Sequence, residues 1–264
     1  MLTGHYVPST QGNLFVVQFG KNEVETAVLC LPSIFEELNL SRAVVAKQAQ
    51  YFANHGLPCF VMDYYGTGDS EGEIENATCD IWLDNILTIG HWLHQRGVKK
   101  IILWGIRFGA LLILHHQSLL HQALSISQQL FWKPVTNGKK FAIQFIRIKQ
   151  AHEIMNNGQN KVNWYQHIMI GNATEVGGYE LTATFLSSME TLNISQSFQP
   201  LSTINWLDLS ASKATLEYTN LSKQWQKNKV LWQAVDCPAF WQKPWTFTLP
   251  ELYKKSFVAI KDTV

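Results

Sequence analysis

Residues 100–114 narrow the possible folds more than any other segment. Lys100-Ile101-Ile102-Leu103-Trp104 is a short apolar run rich in strand formers. Gly105-Ile106-Arg107-Phe108-Gly109 is a glycine-flanked tight turn, and Ala110-Leu111-Leu112-Ile113-Leu114 continues as a helix. So sharp a turn between a buried strand and a helix needs glycine on both sides of its central residue, so that neighbouring backbone can approach. The central side chain then projects from the end of the sheet, and here it is arginine. A guanidinium with a pKa above about 12 stays charged and cannot accept an acyl group.

The surrounding pattern predicts a doubly wound, mostly parallel sheet. Residues 14–17 read as an opening strand, and 27–31 and 58–62 as continuous apolar strands buried on both faces. Helices are expected over 41–55, closed by Gly56, and over 77–96, stopped by Gly97. A further strand is expected at 123–129, and the last two at 203–209 and 229–235, with a helix at 220–227 between them. From 131 to about 200 polar turns and an amphipathic stretch at 141–154 interrupt the alternation, so this region reads as an inserted cap. One domain is expected, with its core at about 1–130 and 200–264.

Composition excludes several classes. The net charge of +1 argues against wholesale electrostatic binding to nucleic acid. No apolar stretch approaches the roughly 20 residues needed to span a bilayer. The N-terminus lacks a basic region followed by an apolar one, so the expected location is the cytoplasm. The four cysteines show no metal or pairing motif, and Cys30 and Cys59 fall inside expected strands as small buried hydrophobes. No metal or cofactor is implied. Ten tryptophans point to aromatic-lined cavities, an apolar partner surface or a filled cap core.

Gly105–Gly109 has the spacing of the α/β-hydrolase nucleophile elbow, Gly-x-Ser-x-Gly, in its strand–turn–helix context, with arginine in place of serine. The catalytic histidine of that fold follows the last strand, whereas the last histidine here is His167. Asp208 and Asp236 remain as weak acid candidates. Asp63-Tyr64-Tyr65-Gly66-Thr67-Gly68-Asp69-Ser70 matches an Asp-x-x-Gly-x-Gly-x-Ser loop of the same fold and reads as a structural turn. It lacks the Gly-Lys-Ser/Thr of a phosphate loop.

Five segments resemble the exosortase A system-associated hydrolase 2 family, found in bacteria with PEP-CTERM sorting and exopolysaccharide loci. They are 32–42 (PSIFEELNLSR), 63–72 (DYYGTGDSEG), 103–112 (LWGIRFGALL), 133–147 (KPVTNGKKFAIQFIR) and 175–181 (EVGGYEL). The arginine turn is the distinguishing part. The resemblance implies an α/β-hydrolase fold and an association with polysaccharide export and protein sorting, with a possible protein partner there. It leaves the reaction open.

At the site, Arg107 is expected either to pair with Glu36 or Glu37, placed in the loop after the strand at 27–31, or to bind an anion. Ile106, Phe108 and Ile34 flank it as contributors to a ligand site at the helix start. No Asp or Glu occurs between Asn85 and His152, and Lys133, Lys139, Lys140, Arg147 and Lys149 suggest a basic cap rim. Three functions stay open. They are a catalytically silent member holding an anionic or acyl ligand, an esterase or thioesterase using Glu36 or Glu37 as base for a water, and a protein-binding pseudoenzyme with a tryptophan-rich cap.

Overall fold

The computed structural model describes residues 2–21, 25–157, 162–194, 197–225 and 229–261. Eight strands form one sheet: β1 (Leu2–Pro8), β2 (Asn13–Phe19), β3 (Thr26–Leu31), β4 (Cys59–Met62), β5 (Lys100–Ile106), β6 (Ile126–Trp132), β9 (Thr203–Leu209) and β10 (Val230–Val235). Their order is β1-β2-β4-β3-β5-β6-β9-β10. From β4 to β10 all neighbours are parallel, while β2 runs antiparallel to both β1 and β4.

The central strands are apolar on both faces because helices cover both. Ala27, Leu29 and Leu31 of β3 pack with α2 (Cys79–Gln95) and α3 (Phe108–Ala123). Val28 and Cys30 pack with α1 (Phe35–Asn54) and α8 (Pro250–Ile260). The side-chain period of two thus splits one strand between two cores. The Asp63 loop is a structural turn: Asp63 Oδ2 accepts the Asp69 N–H at 3.0 Å, Oδ1 accepts from Arg42 at 3.2 Å, and Ser70 Oγ donates to the Asp63 carbonyl at 2.7 Å.

Between β6 and β9 the chain leaves the sheet as α4 (Gly138–Asn157), α5 (Trp164–Met169), the hairpin β7 (Thr174–Val176) and β8 (Tyr179–Leu181), and α6 (Ala183–Thr191). Phe35 ties this excursion to the sheet. Its ring stacks on Phe145 at 3.9 Å and meets Phe185 edge-on at 6.0 Å. The tryptophans do not build it, since between 133 and 202 the sequence holds Trp164 alone. Trp82, Trp104 and Trp132 are instead fully buried against the sheet.

Several expected bounds shift. The opening strand is β1, at the sheet edge, whose side chains are exposed or part-buried except for Val7, so apolar content did not reveal it. The helix α1 starts at Phe35 and not at 41, because Phe35 and Leu38 bury while Glu36 and Glu37 favour the positive end of the helix dipole. The strand expected at 123–129 lies at 126–132, since α3 runs on to Ala123. The helix between β9 and β10 is α7 (Leu216–Ser222), and residues 226–227 of the expected helix lie outside the described residues. The last helix, α8, was not expected; Pro250 in its first turn pre-sets the backbone. Among the described residues no helix is long and apolar enough to cross a membrane.

Candidate functional site

Arg107 sits alone between β5 and α3 at φ 52° and ψ −111°, a backbone state that L-residues occupy only under strain. The surroundings hold it there. Its N–H donates to the Trp132 carbonyl at 2.9 Å. A Cβ on Gly109 would come within 2.1 Å of the Leu31 carbonyl oxygen, and one on Gly105 within 2.6 Å of Ala110 Cα. Both glycines are therefore demanded by close backbone approach, and the turn projects the guanidinium over the carboxyl ends of the strands.

That guanidinium meets Glu37. Arg107 Nε donates to both carboxylate oxygens, at 3.2 Å to Oε1 and 3.1 Å to Oε2, and NH2 donates to Oε1 at 2.9 Å. Arg107 NH1 donates to the Lys133 carbonyl at 3.3 Å, and Ser33 Oγ donates to Glu37 Oε2 at 2.7 Å. The Trp241 ring lies 5.4 Å from the guanidinium carbon, within cation–π range. The two charged side chains are only 14 % and 18 % exposed, so water screens the pair in part. Glu36 does not reach Arg107. Successive helical side chains diverge by about 100°, and because α1 already includes both glutamates, Glu36 turns outward to Asn39 (3.2 Å) and Tyr179 (3.5 Å).

None of the other candidates hydrogen-bonds to the Arg107 side chain. Asp208, at the end of β9, is buried and bonded to Lys133 Nζ at 2.9 Å and to Trp232 Nε1 at 3.1 Å. Asp236 is exposed just past β10. Ile106 and Phe108 are buried, with Phe108 packed on Trp82 and Phe141, whereas Ile34 lines the crevice. The basic rim is neutralised in part, with no ion pair at Lys140 or Arg147 among the described residues. Lys133 pairs with Asp208, Lys139 with Glu190 at 2.7 Å and Lys149 with Glu153 at 3.7 Å. The run without acids hid this, because the partners lie outside it in sequence.

The guanidinium opens onto a crevice of about 400 Å³ walled by Ile34, Leu40, Phe141, Phe145, Ile148 and Trp241. Sequence reasoning missed the parts that Lys133, Ser33 and Trp241 play around the pair. Trp241 stands in the stretch after β10, where the fold's catalytic histidine would fall, so the sequence singles out its position but not its role. The cysteine thiols sit in settings that disfavour ionisation. Burial pushes the Cys79 thiol up to about 12 and raises Cys30, Cys59 and Cys237 as well.

Solved structures match the fold of the chain along essentially its whole length. The fold is that of the α/β hydrolases. Est1E from Butyrivibrio proteoclasticus, solved with ferulic acid bound, superposes with a TM-score of 0.69 at 15 % identity, over 98 % of both chains. The α/β hydrolase GrgF from Penicillium sp. sh18 gives 0.69 at 13 % identity, over 99 % of this chain and 98 % of its own. A proline iminopeptidase-related protein from Thermus thermophilus gives 0.64 at 16 % identity, over all of both chains. At such identities the α/β-hydrolase likeness is one of fold. No family model matches the chain, and no curated protein sequence matches it.

Proposed function

We propose that this α/β-hydrolase-fold protein holds an anionic or acyl ligand non-covalently in the crevice at Arg107 and is silent in acyl transfer. The observation that carries the reading is the forked Arg107–Glu37 pair at the turn where the fold's attacking group would stand. Arginine there supplies charge and donors in place of an attacking oxygen or sulfur. The same pair argues against the esterase alternative. Both Glu37 oxygens already accept guanidinium N–H groups and one also accepts the Ser33 hydroxyl, so neither is left facing a water whose proton it would have to take. A ligand carboxylate or phosphate can take the guanidinium edge while Glu37 keeps Ser33. An association with exopolysaccharide export and protein sorting, with a protein partner there, belongs to the proposal on the strength of the five sequence segments. No cofactor is invoked.

The test pairs chemistry with binding. p-Nitrophenyl butyrate is expected to show no enzyme-dependent hydrolysis and a fluorophosphonate probe no labelling, while decanoate raises the melting temperature of the wild type but not of Arg107→Gln. Ester turnover abolished by Glu37→Gln would overturn the proposal in favour of a water-activating carboxylate.

A further inference from the structure

Arg107, Phe141 and Gln144 line two cavities, not one. Beside the apolar crevice lies a smaller polar lobe of about 200 Å³, walled by Lys133, Asn137, Lys140, Trp206, Asp208 and Thr215. The larger lobe alone falls within the roughly 300–1,000 Å³ of small-molecule sites.

The polar lobe has a surplus of positive character. Three cations line it against one carboxylate; Lys133 is engaged by Asp208 and Arg107 by Glu37. Lys140 makes no ion pair among the described residues. The first turn of the 20-residue helix α4 opens on the same lobe and contains no acidic residue; Asn137 Oδ1 caps the Lys140 N–H at 2.8 Å, so the lobe meets the positive end of the dipole and the charge of Lys140. An independent feature points the same way. Trp206 is 2 % exposed, forms part of the wall, and its indole N–H finds no acceptor. A buried donor without a partner is costly; the nitrogen is shielded in this arrangement, so an oxyanion in the lobe would satisfy it only by displacing part of the wall.

The apolar lobe continues from this point along one stripe of α4. Phe141, Phe145 and Ile148 follow at helical spacing; Phe141 touches both lobes, and Ile148 is 50 % exposed at the far end. We propose that the site takes a single-chain anionic amphiphile, its charged head between the Arg107 guanidinium and Lys140 at the start of α4 and its chain along Phe145 and Ile148. This rests on the non-covalent reading of the crevice and adds the ligand class and its orientation.

Decyl phosphate, kept below its micelle concentration, is titrated by calorimetry alongside decanol and inorganic phosphate. It is expected to bind at least about tenfold tighter than either, with the advantage over decanol shrinking as salt rises. Lys140→Ala should remove part of the advantage over decanol, the rest staying with Arg107, and Ile148→Ser should weaken decyl phosphate and decanol alike; both substituted side chains are exposed, and far-ultraviolet dichroism checks that the variants fold. Equal affinity for decyl phosphate and decanol, or a Lys140→Ala variant indistinguishable from wild type, would overturn the assignment. Ester turnover at the crevice would instead overturn the non-covalent reading itself, whatever decyl phosphate does.

Discussion

Arg107 carries two opposing contributions, a strained backbone and an ion pair that holds it in place. Removing the guanidinium leaves a part-buried carboxylate facing Trp241 and the strand ends. Arg107→Ala is expected to lower stability in urea unfolding by about 2 kcal/mol, less than a fully buried pair would lose, because solvent reaches both side chains. Arg107→Gly should lose about 1 kcal/mol less than the alanine variant, since glycine adopts positive φ without a Cβ clash. Adding Glu37→Gln to Arg107→Ala should recover part of the loss, and strict additivity of the two substitutions would show that the groups are not coupled. Glu36 is the internal control: exposed and turned toward Tyr179, its substitution should change stability little.

The unit formed by β5, the turn and α3 is held by backbone proximity more than by side chains. Gly109→Ala would drive a methyl group into the Leu31 and Pro32 carbonyls, neither of which can retreat without moving β3. A loss of about 3 kcal/mol or more is expected from chemical denaturation. Gly97, in the turn after α2 at φ 92°, would place an added methyl group in open space, with nothing within 4 Å. Gly97→Ala should therefore cost only about 1 kcal/mol of backbone strain. Comparable effects for the two substitutions would contradict close approach as the reason for glycine at 109. The same contrast marks what sequence could reveal about elements. Both glycines punctuate helices legibly, but the difference between an open turn and a crowded one depends on β3, which lies far away in the chain.

At the scale of the whole molecule, the acid response reflects residues buried when α3 docks on the sheet. Burial, and then the charge of His115, lower the His116 pKa from 6.5 to about 4, while Asp80 opposes the shift. His121 moves the same way through burial and Lys229. The unfolded chain thus takes up protons below about pH 6.5 that the folded chain refuses until about pH 4. Stability contributed by the neutral His116 is present above 6.5 and is lost as pH falls across that window. Urea unfolding measured from about pH 7 to about pH 4 should show this decline, and His116→Gln should flatten it; an unchanged slope would exclude His116 as its source.

The sequence alone determined the alternation of buried strands and helices, the crowded glycine turn and the missing late imidazole. These are local signals: apolar runs, helix stops and residue spacings whose meaning does not depend on distant neighbours. Tertiary structure alone decided that Glu37 and not Glu36 meets a guanidinium 70 positions away, that Lys133 closes on Asp208 across 75, and that Trp241 covers the pair. The physical reason is that periodicity records which face of an element is buried. The meeting of two charges depends on strand order, on where a helix begins and on the direction each side chain leaves its backbone, and only the folded chain brings these together.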